Sequence, residues 1–116
     1  MNLKNFRTYA LAVELYGLCK EQCLPHYLKD QLLRAVSSIA LNLAEGSAKP
    51  SDRDRRRFYA MAFGSLRETQ ALLAILRATK EANVADQIGA CLYRLTNPRT
   101  RIGSGSPVDQ IRTAAS

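Results

Sequence analysis

The segment that decides the fold runs from Ser51 to Leu76 and reads SDRDRRRFYAMAFGSLRETQALLAIL. It begins with a cluster of arginines and continues as a helical pattern that is apolar around most of its circumference. Such a helix is not stable alone in water, because its apolar sides must be covered by other segments. The sequence therefore predicts a helix that extends from residue 51 to about residue 82 and lies among other helices.

Three stripes of side chains run along this helix when successive residues are placed 100° apart. The first stripe, which we predict to form the core of the protomer, contains Phe58, Met61, Ala62, Ser65, Thr69, Leu72 and Leu76. The second contains Tyr59, Phe63, Leu66, Gln70 and Leu73. The third is rich in small residues and contains Ala60, Gly64, Arg67, Ala71, Ala74 and Ala78.

Three stripes exceed the single broad face that a helix buries in a small four-helix bundle. Small residues at a 4-3-4 spacing also allow another helix to approach closely. We therefore predict that Ala60, Gly64, Arg67 and Ala71 contact a second subunit. The alternative is a helix that is buried deeply between its neighbours in one chain.

Three further helices are predicted to cover this one, at about 3–23, 28–45 and 85–96. Pro25 ends the first, and Leu32, Val36, Ile39 and Leu43 give the second a 4-3-4 seam typical of a helical bundle. Gly46 follows the second helix, where a left-handed C-cap is common. Ser51 and Asp54 stand at the N-cap and third helical positions of the third helix.

These segments predict one all-α domain, an up-and-down four-helix bundle over residues 1–98. The sequence GSGSP at 103–107 predicts a flexible tail over 99–116, with a short helical patch near 108–113. No apolar run approaches the ~20 residues that span a bilayer, and the N-terminus lacks a signal-peptide pattern. Three cysteines, an odd number, fit reduced thiols. We therefore expect a cytoplasmic protein without a membrane partner.

The charge of the chain is uneven. The formal net charge is +7, and residues 47–116 carry twelve basic and six acidic side chains against five and four in residues 1–46. A basic excess concentrated in one half predicts an anionic partner, of which nucleic acid is the commonest. The alternative is a surface that is basic only for solubility.

The candidate binding residues form a basic cluster at the start of the third helix: Lys49, Arg53, Arg55, Arg56 and Arg57. Cations at a helix N-terminus oppose the macrodipole at a cost of about 0.3–1 kcal/mol each, and Asp52 and Asp54 offset only part of it. A bound phosphate would explain the arrangement. The alternative is that arginine is simply a good helix former and that salt screens the cost.

The sequence contains little that supports a catalytic function. His26 is the single histidine, and nothing pairs it with a nucleophile. Cys19, Cys23, His26 and Cys91 could in principle hold zinc, but their spacing is not a recognised one. No glycine-rich phosphate loop occurs. We expect no enzyme activity, no cofactor, no metal and no small-molecule substrate.

Two motifs resemble a known family. The run Ser38-Ile39-Ala40-Leu41-Asn42-Leu43-Ala44-Glu45-Gly46 is similar to the S-I-x-x-N-I-A-E-G signature of bacterial four-helix-bundle proteins. These are also called 23S ribosomal RNA intervening-sequence proteins or S23-type proteins. Arg57-Phe58, Ala62, Gly64-Ser65-Leu66 and Glu68 match the motif that follows in the family, so the resemblance covers roughly residues 31–76.

The resemblance implies a four-helix bundle that assembles as a ring, typically a homopentamer, in a family whose molecular role is largely unknown. It marks Asn42, Glu45, Gly46, Gly64, Ser65 and Glu68 as motif residues. For the polar ones among them, we favour a structural network over catalysis. A related branch, the accessory proteins of diversity-generating retroelements, binds reverse transcriptase and nucleic acid through a basic surface.

The function we expect is therefore that of a non-enzymatic, oligomeric helical bundle that contacts nucleic acid, preferably structured RNA, through its basic surface. The alternative is a protein–protein scaffold or accessory subunit that docks an acidic partner such as a reverse transcriptase.

Overall fold

The computed structural model describes residues 2–97, which form four α-helices and no β-strand. The helices are α1 (Leu3–Lys20), α2 (His26–Ser47), α3 (Asp52–Leu76) and α4 (Thr79–Thr96). α2 packs against α1 and α3, and α4 packs against α3 and α1. Because the connections at 21–25, 48–51 and 77–78 are short, consecutive helices are antiparallel. The all-α, up-and-down bundle is thus present in this part of the chain, and the tail predicted for 99–116 lies outside it.

The start of α3 follows the predicted cap. The Ser51 side chain accepts a hydrogen bond from the Asp54 backbone N–H at 3.1 Å, which satisfies one of the unpaired donors of the first turn. The Asn2 side chain caps α1 in the same way through the Asn5 N–H.

The end of α3 differs from the prediction. The helix stops at Leu76 rather than near residue 82, and α4 begins at Thr79 rather than near residue 85. Arg77 adopts the left-handed conformation with φ 56°, and the Ala78 N–H donates to the Leu73 carbonyl. The cost of that conformation for a non-glycine residue is outweighed by packing, because the turn lets α4 return along the bundle and bury its apolar face. That face consists of Val84, Ala85, Ile88 and Leu92.

Gly46 also has a different role from the predicted one. It is not a left-handed cap, because α2 continues through it to Ser47 and ends at Ala48 with φ −88°. A Cβ at Gly46 would lie 2.9 Å from both Phe58 Cβ and Tyr59 Cε1. The missing side chain therefore allows the end of α2 to approach the start of α3 closely.

α3 packs on both α2 and α4, so its buried residues come from both of the first two predicted stripes. Met61, which we predicted to belong to the core, is 42% exposed. The buried residues of α3 are Tyr59, Ala62, Leu66, Thr69, Leu72 and Leu73. They meet Leu32, Val36, Ile39 and Leu43 of α2, which is the predicted seam, and Leu15 and Cys19 of α1.

A partly buried polar pair joins the α1–α2 connection to α4 at the end opposite the arginines. Glu81 is 8% exposed, and its Oε2 accepts a hydrogen bond of 2.7 Å from Gln22 Nε2. Burial, and secondly the charge of Glu81, raise the pKa of the Cys19 thiol to about 11 from an ordinary value of 9.0. This thiol is consequently protonated and unreactive at neutral pH.

The raised pKa of Cys19 predicts an alkaline loss of stability. In the unfolded chain the thiol ionises near pH 9.0, and in the folded chain near 11, so unfolding is increasingly favoured as the pH rises between them. The free energy of unfolding should fall by up to about 3 kcal/mol over this interval from this group alone. Urea titrations of wild type and Cys19→Ala at pH 8 to 11 measure it. Some pH dependence should remain in Cys19→Ala, because burial also raises the pKa of the Tyr59 hydroxyl. Equal slopes of the free energy of unfolding against pH in the two proteins would contradict the assignment to Cys19.

Candidate nucleic-acid interface

The antiparallel arrangement brings four helix termini to one end of the bundle: the N-termini of α1 and α3 and the C-termini of α2 and α4. We call it the basic end. Within about two turns of these termini lie eight basic residues, Lys4, Arg7, Lys49, Arg53, Arg55, Arg56, Arg57 and Arg94. The acidic residues there are Glu45, Asp52 and Asp54, and the rest of residues 2–97 carries six basic and six acidic side chains. The net positive charge of this part of the chain is thus concentrated at one end.

Arg55 is committed to the connection between α2 and α3. Its Nη1 donates to the Lys49 carbonyl at 2.8 Å, and its Nη2 forms an ion pair with Asp52. Its guanidinium therefore fastens the turn to the first turn of α3, and its charge is largely neutralised.

Two other cations of the predicted cluster lie against the ring of Phe58. Lys49 Nζ is 5.1 Å from the ring centroid and also 3.2 Å from Glu45 Oε2. Arg57 Cζ is 4.8 Å from the same centroid. These cation–π contacts hold the two side chains at the corner between α2 and α3 and leave their outer sides in solvent.

Arg53 and Arg56 are the cations of the predicted cluster that remain available. Both are exposed, and neither forms an ion pair with any of the carboxylates in residues 2–97. They stand one turn apart on α3. Arg56 also lines a small pocket of about 100 Å³ with Asp52, Arg55, Tyr59 and Leu95.

A second basic group was not identified from the sequence. Lys4 and Arg7 of α1 and Arg94 of α4 line a pocket of about 260 Å³, together with Thr8 and Cys91. These residues are far apart along the chain, and only the packing of α1 beside α4 brings them together. The i, i+3 spacing of Lys4 with Arg7, combined with the short connections of an up-and-down bundle, is the signal that could have found them.

The polar motif residues are distributed over three separate contacts. Asn42 Nδ2 donates to the Ser38 carbonyl at 2.9 Å and contacts Ser38 Oγ at 3.1 Å. Ser38 Oγ in turn lies 2.7 Å from Ser65 Oγ on α3. Gln31 Nε2 reaches Glu68 Oε2 at 3.5 Å, whereas Glu45 pairs with Lys49 instead. The α2–α3 interface is thus bridged by hydroxyl and amide groups.

The third stripe of α3 faces away from the protomer. Ala60, Gly64, Arg67 and Ala71 are all exposed, so the alternative of a helix buried on every side is wrong. A Cβ added at Gly64 would meet nothing within 4 Å. Large apolar side chains are exposed on several helices, namely Phe6, Val13, Tyr27, Leu41, Met61, Ile75 and Tyr93. The stripe is therefore accessible to another subunit.

Residues 2–97 present neither a cluster of metal ligands nor a helix suited to a bilayer. No group of three or more His, Cys, Asp or Glu side chains is placed to hold a metal ion, so Cys19, Cys23, His26 and Cys91 do not assemble as zinc ligands. None of the four helices combines the length and the apolar character needed to cross a membrane.

Comparison with known proteins gives the chain a family. No protein with a curated description matches it. A solved structure with a TM-score of 0.70 covers 82% of this chain and 99% of its own, at 18% sequence identity. That structure is described as a protein with unknown function from the S23 ribosomal protein family from Bacteroides thetaiotaomicron, and at this identity it supports the fold alone. The model of the 23S rRNA-intervening sequence protein family matches residues 6–97, and the chain therefore belongs to that family.

Proposed function

We propose that this protein is a non-enzymatic, oligomeric helical bundle that binds nucleic acid, preferably structured RNA, through its basic end. The observation that carries the proposal is the concentration of net positive charge at that end, where Arg53 and Arg56 pair with none of the carboxylates of residues 2–97. The family's link to an intervening sequence of 23S rRNA makes RNA the favoured polymer. The three free thiols fit a reducing compartment such as the cytoplasm.

Such an interface would recognise the phosphate backbone. Arginines on the outside of a helix reach phosphate oxygens, and each phosphate contact releases condensed counterions. Binding should therefore tolerate changes of sequence and weaken steeply with salt. Arg55 stabilises the turn that presents the neighbouring arginines, and Lys49 and Arg57 supply additional positive charge.

Self-assembly is the second part of the proposal. The exposed stripe of Ala60, Gly64, Arg67 and Ala71 would contact another copy of the chain, and the family resemblance favours a ring, with a pentamer as the preferred size. A ring would repeat the basic end on every protomer. Several weak contacts to one RNA would then act together as a multivalent interaction.

Reversing two charges tests the binding site. We expect Arg53→Glu/Arg56→Glu to weaken binding to a structured RNA by tenfold or more at low salt. The slope of log affinity against log salt should also fall by about 2 per protomer, because two phosphate contacts are lost. Fluorescence anisotropy at several salt concentrations measures both quantities.

The matched control is Arg77→Glu/Lys80→Glu, which reverses two exposed charges at the opposite end of the bundle. It should retain most of the affinity. Equal affinities and slopes for wild type and the Arg53/Arg56 variant would refute the assignment of the site.

An accessory role for an acidic protein partner, such as a reverse transcriptase, is the alternative that the same charge distribution allows. Affinity capture with and without nuclease separates the two functions. Loss of all captured material after nuclease supports nucleic-acid binding, and retention of one acidic protein supports the accessory role.

A further inference from the structure

The pocket between α1 and α4 combines concave shape with concentrated positive charge. Lys4 and Arg7 stand one turn apart on α1, and Cys91 and Arg94 stand one turn apart on α4. The two pairs lie across the groove between the antiparallel helices. Within residues 2–97 the lining therefore presents three cations and no carboxylate.

The neighbouring pocket on α3 differs in this respect. There Asp52 lines the wall and forms an ion pair with Arg55, so much of the charge is satisfied within the protein. Lys4, Arg7 and Arg94 form no ion pair with any carboxylate of residues 2–97. A concave site lined by charges of one sign attracts counterions more strongly than a flat surface does.

The helix macrodipole favours the position of Arg94 and disfavours that of Lys4. Arg94 lies in the last turn of α4, where a cation interacts favourably with the macrodipole. Lys4 lies in the first turn of α1, where a cation is unfavourable, and that turn contains no acidic residue. α3 differs, because Asp52 and Asp54 occupy its first turn. The position of Lys4 is thus better explained by a ligand than by the helix.

The neutral side chains of the pocket indicate what kind of ligand fits. The Thr8 hydroxyl donates its hydrogen to the Lys4 carbonyl at 2.9 Å and has no donor left for a ligand. Arg94 Nη2 lies 3.6 Å from Cys91 Sγ, a weak contact that leaves the other guanidinium N–H groups available. Recognition therefore depends on charge-assisted hydrogen bonds from Lys4, Arg7 and Arg94, which suit a phosphate group.

We propose that this pocket is a phosphate-binding subsite for the nucleic acid held at the basic end, an inference that rests on the function proposed above. It lies on the α1–α4 side of that end, whereas Arg53 and Arg56 belong to α3. A bound RNA would then contact two separate groups of cations. The phosphate in the pocket is either a terminal phosphate or a phosphodiester within the strand, and the experiment below separates these sources.

Cys91 provides a reporter inside the pocket. Cys19 is buried and its thiol is protonated at neutral pH, so in a Cys23→Ser background Cys91 is the thiol that reacts. The quantity compared is the ratio of the alkylation rate with anionic iodoacetate to the rate with neutral iodoacetamide. We expect this ratio to be several-fold higher for Cys91 than for Cys23, whose reaction is measured separately in Cys91→Ser. Arg7→Gln/Arg94→Gln should abolish this preference, and Arg77→Gln, at the opposite end, should not change it.

Protection of Cys91 identifies the source of the phosphate. The probes are pyrophosphate, adenosine monophosphate and one RNA prepared with either a 5′-phosphate or a 5′-hydroxyl. Slower alkylation with only the 5′-phosphorylated RNA supports a terminal phosphate, and equal protection by both RNAs supports an internal phosphodiester. Protection by pyrophosphate or the nucleotide but by neither RNA would overturn the nucleic-acid subsite and make the pocket one for small phosphorylated ligands.

The pocket and the proposed function can fail separately. Suppose that RNA binding depends on Arg53 and Arg56, but that no probe protects Cys91 and the Arg7→Gln/Arg94→Gln variant binds RNA as tightly as wild type. The subsite is then refuted, and the proposed function stands. If wild type binds no RNA while pyrophosphate protects Cys91, the function is refuted. The expected result is protection by RNA together with a several-fold loss of RNA affinity in the Arg7/Arg94 variant.

Discussion

We expect Gly46→Ala to lower the free energy of unfolding by about 1–3 kcal/mol, although alanine is the better helix former. The added Cβ would lie 2.9 Å from Phe58 Cβ and from Tyr59 Cε1. Phe58 Cβ moves only with its backbone. The Tyr59 ring is 4% exposed, and its hydroxyl accepts a hydrogen bond from Asn5 Nδ2 at 3.0 Å. Neither neighbour can move aside without shifting α2 from α3.

Gly17→Ala is the matched control for this prediction. Gly17 also lies inside a helix, but a Cβ there meets nothing within 4 Å, and the position is outside the proposed subunit contact. The substitution should raise the free energy of unfolding of the protomer by about 0.5–1 kcal/mol. Urea titrations followed by far-UV circular dichroism compare both variants with wild type. If both alanines stabilise the protein equally, the close approach of α2 and α3 at Gly46 is wrong.

The contrast between these glycines shows how far the sequence determines the fold. The existence of four helices follows from apolar periodicity, and the cap at Ser51 follows from local hydrogen-bonding chemistry. The close contact at Gly46 does not, because a glycine at the end of a helical pattern is equally consistent with a cap. The distinction depends on residues of α3 that lie opposite it in space.

The turn at Arg77 could not be predicted for a related reason. Neither Gly nor Pro marks residues 77–78, and Asn83, a few residues later, is a plausible terminator. Arg77 takes a left-handed conformation because the tertiary structure requires α4 to start there. Local propensity is a weak guide to where such a turn lies, because the apolar area buried by the two helices that flank the turn determines its position.

The candidate interface could be predicted in part. A run of arginines is visible in the sequence, but its charges are not equivalent once folded. Arg55 is neutralised by Asp52, while Arg53 and Arg56 remain available. The i, i+3 spacing of Asp52 and Arg55 allows the pair to be anticipated. The α1–α4 pocket depends on distant segments and was therefore not predicted.

Gly64→Leu should abolish self-assembly while leaving the protomer folded. The wild-type protein should sediment as a species with a mass well above the 12.9 kDa of one chain. The reason is that the stripe of Ala60, Gly64, Arg67 and Ala71 is exposed and allows close approach of a second helix. A leucine at Gly64 overpacks such a contact at a cost of about 1–3 kcal/mol per interface. The cost recurs at every interface of a ring, so the complex should dissociate. Analytical ultracentrifugation at several concentrations measures this.

Gly17→Leu provides the control for the assembly prediction, because Gly17 is an exposed glycine inside α1 with nothing within 4 Å of an added Cβ. Since an added Cβ meets nothing within 4 Å at either position and both positions are exposed, we expect circular dichroism to show that both variants fold. A wild-type protein that sediments only as a single chain refutes assembly. Dissociation by Gly17→Leu but not by Gly64→Leu would instead place the interface on α1. If Gly64→Leu alone dissociates the complex, it should also weaken RNA binding without altering any cation, since a single protomer loses the multivalent contact of the assembled basic ends.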